Sequence, residues 1–107
     1  MAVAQEYTVP EPSRREVEAL RGVSVLEFGT PWCGHCRRAA PLIGEALGAY
    51  PAAHHIKIED GRTRRLGRLF GVKLWPTLIF LKDGTEFARV VRPTDAQSIH
   101  SVLANIS

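Results

Sequence analysis

Alternating stretches of apolar and polar residues divide the chain into strand-like and helix-like segments. Residues 23–28 form a near-continuous apolar run, which predicts a strand that is buried on both faces. In residues 54–59 two isoleucines stand two positions apart, as expected for one face of a second strand. Residues 77–82 and 87–91 are rich in β-formers and flank a turn sequence, which predicts a final hairpin.

Helical patterns fall between these strands. Apolar residues at helical spacing predict a long helix over 33–50, and Pro41 is expected to kink it because a mid-helix proline removes a backbone hydrogen bond. Capping-box sequences open two further helices, one over 13–21 and one over 94–106. A short basic helix is expected over 62–70, where a glycine follows.

The order of these elements predicts the fold class. With a short edge strand at residues 7–9, the order is β-α-β-α-β-α-β-β-α. Strands that alternate with helices favour an α/β fold, with a central mixed sheet and helices on both faces. We expect a single domain over 1–107, in which residues 1–12 are partly flexible.

Composition excludes several classes of protein. A chain of 107 residues that is 45% hydrophobic and 23% charged is ordinary for one globular domain. The arginines of residues 62–70 have no aromatic residues among them, so we expect no nucleic-acid partner, and they form either a solvated face or a docking surface for an acidic partner. The apolar run 78–81 is too short to span a membrane, and residues 1–20 lack the apolar core of a signal peptide. We therefore expect a cytoplasmic monomer.

Both cysteines lie in one motif, Pro-Trp-Cys-Gly-His-Cys at 31–36, directly after the buried strand. Two cysteines are too few for a disulfide scaffold, and the loop between them is too short to stabilise the fold by closing. A zinc site would need two more ligands. The adjacent His54 and His55 point to opposite faces of a strand, so we expect them near the surface. The pair is therefore interpreted as a redox site.

The chain resembles the thioredoxin superfamily over nearly its whole length. The resemblance lies in residues 25–28, the 31–36 motif, residues 70–77 with their Trp-Pro pair, and the Lys-Asp-Gly turn at 82–84. The Cys-Gly-His-Cys string looks like the protein disulfide isomerase branch, whereas a single short domain looks like bacterial thioredoxin. This resemblance implies a thioredoxin fold and a thiol–disulfide oxidoreductase of protein substrates. It implies no metal or organic cofactor, and an electron supply from a thioredoxin-reductase-like enzyme or a dithiol partner.

The two cysteines and His35 each have an expected part in this chemistry. Cys33 is expected at a helix N-terminus, where free N–H groups and the helix dipole favour a thiolate, so we expect it to attack the substrate. Cys36, one turn on, is expected to resolve the mixed disulfide. A protonated His35 would stabilise the thiolate further and make the pair more oxidising, unless it is merely an exposed helix residue. Whether the protein reduces, oxidises or isomerises disulfides stays open.

Glu27 is the one charged residue of the first buried strand. Burial without a partner favours the neutral form of a carboxyl group. The resemblance implies that Glu27 exchanges a proton with Cys36, and the alternative is a half-exposed strand residue paired with a lysine. By similarity to a lysine of the family, Lys57 is the expected ion-pair partner of Glu27.

The resemblance also implies a substrate groove. It places a cis proline at Pro76, beside the cysteines, so that the backbone of Trp75 can bind an extended substrate. Trp32 and Gly34 are expected to line the same groove, and Trp75 lines it or packs in the core. Val-Arg-Pro at residues 91–93 follows the last strand, where the family often has a glycine, so the third wall of the groove is expected to differ. A non-catalytic adaptor of the same fold is the alternative function, which the intact cysteine pair opposes.

Overall fold

A four-stranded mixed sheet forms the centre of the computed structural model, which describes residues 3–106. The elements in chain order are α1 (Arg14–Glu18), β1 (Val23–Gly29), α2 (Gly34–Gly48), β2 (His54–Glu59), α3 (Leu66–Leu69), β3 (Thr77–Lys82), β4 (Thr85–Val91) and α4 (Gln97–Ile106). The strand order is β2-β1-β3-β4. Strand β1 pairs in parallel with β2 and antiparallel with β3, and β4 is the antiparallel edge.

The sheet separates two hydrophobic cores, because neighbouring residues of a strand point to opposite faces. Helices α2 and α4 pack on the face that carries Val25 and Phe80. Helices α1 and α3 pack on the other face, against Leu26, Phe28 and Ile79. The expected α/β architecture, with helices on both faces of a mixed sheet, is confirmed.

The predicted first strand is reduced to a single β-bridge. Tyr7 pairs in parallel with Lys57 of β2, and the N–H of Thr8 donates to the Lys57 carbonyl oxygen at 2.8 Å. The next residue, Val9, is 78% exposed and precedes Pro10, which has no N–H to continue a ladder. The partial flexibility of residues 1–12 stays a prediction, and residues 1 and 2 lie outside the described residues.

The helix ends differ from the predicted boundaries by a few residues. The capping box of α1 is present, with the Ser13 hydroxyl accepting from the Glu16 N–H at 3.0 Å and the Ser13 N–H donating back to the Glu16 carboxylate. Before α4, Asp95 and not Thr94 accepts from a helix N–H, that of Ser98. Helix α3 is only four residues long and has no side-chain cap.

Two absences hold for residues 3–106. No helix in this part of the chain is long and apolar enough to cross a membrane. Within the same residues, no three histidine, cysteine, aspartate or glutamate side chains are grouped where they could hold a metal ion. The zinc alternative therefore has no ligand set among the described residues.

Candidate redox active site

The two cysteines occupy the junction between β1 and α2. Cys33 has extended backbone angles, φ −78° and ψ 118°, and is the N-cap residue of α2, so the helix begins one residue later than the sequence predicts. The backbone N–H of Cys36 donates to the Sγ of Cys33 at 3.2 Å. The Cys33 sulfur therefore accepts a hydrogen bond at the positive end of the helix dipole.

The thiol of Cys36 is buried against the end of β1. A β carbon on Gly29 would lie only 2.6 Å from the Cys36 Sγ, so glycine is what allows the sulfur to rest on the strand backbone. Burial, helped by the hydrogen bond to Cys33, raises the pKa of Cys36 to about 12. The second thiol is therefore protonated at neutral pH and needs a base before it can attack.

Glu27 lies two residues before Gly29 and on the same face of β1, since side chains alternate along a strand. It is 3% exposed. Its Oε1 is 2.8 Å from the Nε2 of His55, which is buried on the neighbouring strand β2. Glu27 is thus a buried carboxyl group on the strand face that the Cys36 thiol contacts, with a histidine as its hydrogen-bond partner.

The expected ion pair between Glu27 and Lys57 is wrong. The ammonium group of Lys57 lies over the Tyr7 ring, 4.7 Å from its centroid. His55, expected near the surface, is 5% exposed and contacts Glu27 instead. The physical reason is that an imidazole can be buried in neutral form, whereas the long lysine chain keeps its charge in a half-exposed position.

Tyr7 is a site residue that the sequence reasoning missed. Its hydroxyl lies 3.4 Å from the position that a β carbon on Gly29 would occupy, close to the Cys36 thiol. Burial raises the pKa of Tyr7, and the nearby Cys36, Glu27 and Cys33 raise it further. The alternation of Ile56 and Ile58 would have indicated that His55 points away from them, but no sequence signal brings Tyr7 to the thiol.

Two tryptophans form one wall beside the thiols. The Trp75–Pro76 peptide bond is cis, as the resemblance implied. The rings of Trp32 and Trp75 are 5.6 Å apart between centroids and nearly perpendicular, and Trp32 is 69% exposed. The indole N–H of Trp75 donates to the Asp60 carboxylate at 2.8 Å, which fixes the ring at the surface end of the sheet.

Arg92 lies against the backbone of the Trp75–Pro76 pair. Its φ of 49° lies in the left-handed region, where glycine is the usual residue. Its backbone N–H donates to the Pro76 carbonyl oxygen at 2.9 Å, and its Nε donates to the Trp75 carbonyl oxygen at 2.8 Å. The side chain therefore occupies a backbone acceptor that the resemblance assigned to substrate.

His35 is exposed and lies between two guanidinium groups. A nitrogen of Arg38 is 3.2 Å from the His35 Nδ1. The positive charge of Arg92, some desolvation and the charge of Arg38 lower the pKa of His35. The two arginines thus oppose the imidazolium form that the sequence predicted, and they themselves supply positive charge on this side of the site.

The resemblance implied this arrangement: a cysteine pair at the start of a helix, a buried acid on the preceding strand and a cis proline. The thioredoxin family model matches residues 6–105. The chain belongs to the thioredoxin family. The expected thiol–disulfide oxidoreductase is thereby confirmed at the level of the family, and the adaptor alternative is not favoured. Thioredoxins act through a redox-active cysteine pair.

Relatives support the same assignment. The reduced structure of thioredoxin 2 from Pseudomonas aeruginosa PAO1 is 48% identical, with a TM-score of 0.86 over 97% of this chain and 96% of that one. Thioredoxin H-type from Oryza sativa subsp. indica is 33% identical over 71% of this chain, which spans 64% of the rice protein. Protein disulfide-isomerase A2 from Homo sapiens is 35% identical over 70% of this chain but is matched over only 15% of its own length.

Proposed function

We propose that this thioredoxin-family protein reduces disulfide bonds in other proteins. The observation that carries the proposal is the asymmetry of the two sulfurs: the Cys33 Sγ accepts the Cys36 N–H, whereas the Cys36 thiol is buried and its pKa is raised to about 12. One sulfur is thus favoured as a nucleophile and the other is kept protonated until it is needed. The similarity to Pseudomonas aeruginosa thioredoxin 2 over almost the full chain favours reduction over isomerisation.

The proposed reaction has two exchange steps. The Cys33 thiolate attacks one sulfur of the substrate disulfide, the substrate S–S bond breaks, and the other substrate sulfur leaves as a thiolate that takes a proton from water. Glu27 then accepts the Cys36 proton, and the Cys36 thiolate attacks the Cys33 Sγ. A Cys33–Cys36 disulfide forms, and the second substrate sulfur is released as a thiolate that takes a proton from water. Glu27 returns its proton to Cys36 when the pair is reduced again. Two electrons pass to the substrate, and a reductase or dithiol partner returns two electrons to the pair.

The surface around the cysteine motif is the proposed binding site for an extended substrate segment. We propose that the two tryptophans, Gly34 and Pro76 line a groove there, where backbone hydrogen bonds would suit many unfolded partners. Because Arg92 already donates to the Trp75 carbonyl oxygen, the substrate must use other acceptors or displace that side chain. We propose that the protein works as a monomer in a reducing compartment such as the cytoplasm, where reduced thiols are maintained.

An insulin-reduction assay with dithiothreitol tests the catalytic claim. The wild-type protein is expected to accelerate precipitation of the insulin B chain, because its cysteine pair relays electrons from dithiothreitol. Cys33→Ser is expected to leave only the uncatalysed rate, and Cys36→Ser is expected to accumulate a mixed disulfide visible by mass spectrometry. Equal rates for wild type and Cys33→Ser would show that the protein is not the catalyst.

A redox titration against glutathione tests the direction of the reaction. The reduction potential of thioredoxin is about −270 mV, and that of protein disulfide isomerase is about −180 mV. We expect a value at the thioredoxin end, because the chain is similar to Pseudomonas aeruginosa thioredoxin 2 over almost its full length. A value near about −180 mV would instead support an oxidase or isomerase.

A further inference from the structure

Three groups form a chain of hydrogen bonds that leads from the N-terminal segment to the buried acid. The backbone N–H of Ala4 donates to the Nδ1 of His55 at 2.8 Å. The Nε2 on the other side of the ring is 2.8 Å from the Oε1 of Glu27. The side chains of His55 and Glu27 are only 2% and 5% exposed, so water does not compete strongly for these contacts.

The first contact fixes the protonation of the ring. A backbone N–H is always a donor, so the Nδ1 that it contacts must present a lone pair and cannot carry a hydrogen. A ring without a hydrogen on Nδ1 is the neutral imidazole with its hydrogen on Nε2. His55 therefore donates that hydrogen to the Oε1 of Glu27, and it can do so whether Glu27 is a carboxylate or a carboxylic acid.

We propose that His55, held in one tautomer by the Ala4 N–H, is the positioning residue that aims the Glu27 carboxyl group at Cys36 for the resolving step. The proposal rests on the role of Glu27 as the base of the proposed function. With Oε1 held by His55, Oε2 is the oxygen that accepts the Cys36 proton and later returns it. His55 keeps its own hydrogen throughout, so it orients the base and does not relay the proton.

Other titratable groups surround the pair formed by His55 and Glu27. Tyr7 presents a hydroxyl to the same buried space, and Cys36 presents its thiol from α2. From β2, Lys57 turns its ammonium group to the Tyr7 ring, while the carboxylate of Glu59 is paired with Arg64. Cys33 is the other ionisable group of the cluster, at the start of α2. His55 is the group in hydrogen-bond contact with Glu27, and so controls its orientation.

A stopped-flow reaction of the full chain with dithiobis(nitrobenzoate) separates the two exchange steps. The first nitrothiobenzoate is released when Cys33 attacks, and the second is released when Cys36 resolves the mixed disulfide. In His55→Leu we expect the second release to slow about tenfold at neutral pH, the effect of one lost hydrogen bond, while the first release is unchanged. The slowing should diminish as the pH rises above neutrality, because a growing fraction of the Cys36 thiol then ionises without a base.

Two further variants separate positioning from packing. Ala4→Pro removes the N–H that fixes the tautomer, and we expect the same slowing of the second release, whereas Ala4→Gly keeps the N–H and should behave as wild type. His55→Gln can still donate to Glu27 and should recover most of the rate. His54→Gln, the exposed neighbour of His55, is the matched control and should have no effect.

The outcomes distinguish the positioning role from the base itself. If Glu27→Gln slows the second release but His55→Leu and Ala4→Pro do not, Glu27 is the base and the positioning proposal is overturned. If Glu27→Gln also has no effect, the proposed base is wrong as well. Nitrogen NMR of the ring gives an independent reading, since a hydrogen on the Nδ1 of His55 in the wild-type protein contradicts the proposed tautomer.

Discussion

At position 29, only a hydrogen atom fits between the backbone of β1 and the sulfur of Cys36. Gly29 is required for space, because a β carbon there would lie 2.6 Å from the Cys36 Sγ. Glycine at this position therefore allows the Cys36 thiol to be buried, and the burial raises the pKa of Cys36. A residue with no side chain controls the reactivity of its neighbour.

Substitution of Gly29 tests this control. In Gly29→Ala the new methyl group must displace the Cys36 thiol, and we expect a loss of about 1–3 kcal/mol in the free energy of unfolding, measured in urea. The release of substrate by Cys36 should slow as well. Gly44→Ala is the matched control, since nothing lies within 4 Å of that position on α2 and alanine should stabilise the helix by about 0.5–1 kcal/mol. If Gly29→Ala left the free energy of unfolding unchanged, the close packing of the Cys36 thiol on β1 would be contradicted.

The charge of Arg92 gives a prediction for His35. Because a positive guanidinium disfavours an imidazolium and is the first cause of the lowered pKa of His35, Arg92→Gln should move that pKa upward, toward its ordinary value. Proton NMR titration of the ring measures the change. Arg15→Gln, on the helix that packs against the other face of the sheet, should leave it unmoved. An unshifted pKa in Arg92→Gln would show that the guanidinium does not act on the ring.

At the scale of elements, the first turn of α2 places the two thiols in different surroundings. Cys33 stands at the N-cap with extended backbone angles, and Cys36 stands one turn inside the helix and against β1. The motif and the strand before it predicted this difference, because a helix N-terminus favours a thiolate. The chemical asymmetry of the site is therefore a property of the strand–helix junction.

Alkylation with iodoacetamide reports this asymmetry directly. At neutral pH we expect label on Cys33 only. Label on Cys36 should increase about tenfold for each pH unit until the pH approaches about 12, because its thiolate fraction follows that pKa. Mass spectrometry assigns the label, with Cys36→Ala and Cys33→Ala as the single-thiol references. Equal labelling of both sulfurs at neutral pH would contradict the burial of Cys36.

Features that depend on local sequence pattern could be predicted from the sequence. Contacts that depend on the register between elements could not. The Cys-Gly-His-Cys motif indicated the position of the β1–α2 junction, and the resemblance implied the cis proline at Pro76. The partner of Glu27 depends on how β2 lies beside β1, and His55 and Lys57 are on the same face of β2, two residues apart. Only the three-dimensional structure decides that the ring, and not the ammonium group, reaches the carboxyl group.

At the scale of the whole molecule, β1 belongs to both hydrophobic cores and carries the site at its end. Its central place in the order β2-β1-β3-β4 means that each core supports the same strand from opposite faces. Glu27 and Gly29 come at the end of this strand, so the buried acid and the thiol contact are fixed by the most constrained part of the fold.

Two conservative core substitutions test the separation of the cores. Ile43→Val on α2 and Ile58→Val on β2 lie in different cores, and each should lower the free energy of unfolding by about 0.5–1.5 kcal/mol. Because the sheet lies between them, the double variant should show the sum of the two losses within about 0.5 kcal/mol in urea denaturation. A much larger deviation would mean that the two cores form one packing unit.

The paired indoles of Trp32 and Trp75 make the protein its own optical probe. The chain contains just two tryptophans, and their rings lie 5.6 Å apart beside the cysteines. All of the tryptophan emission therefore comes from this one pair of rings, with no background from elsewhere in the fold. Docking of a partner or closure of the disulfide can be followed by fluorescence intensity and anisotropy without attaching any dye.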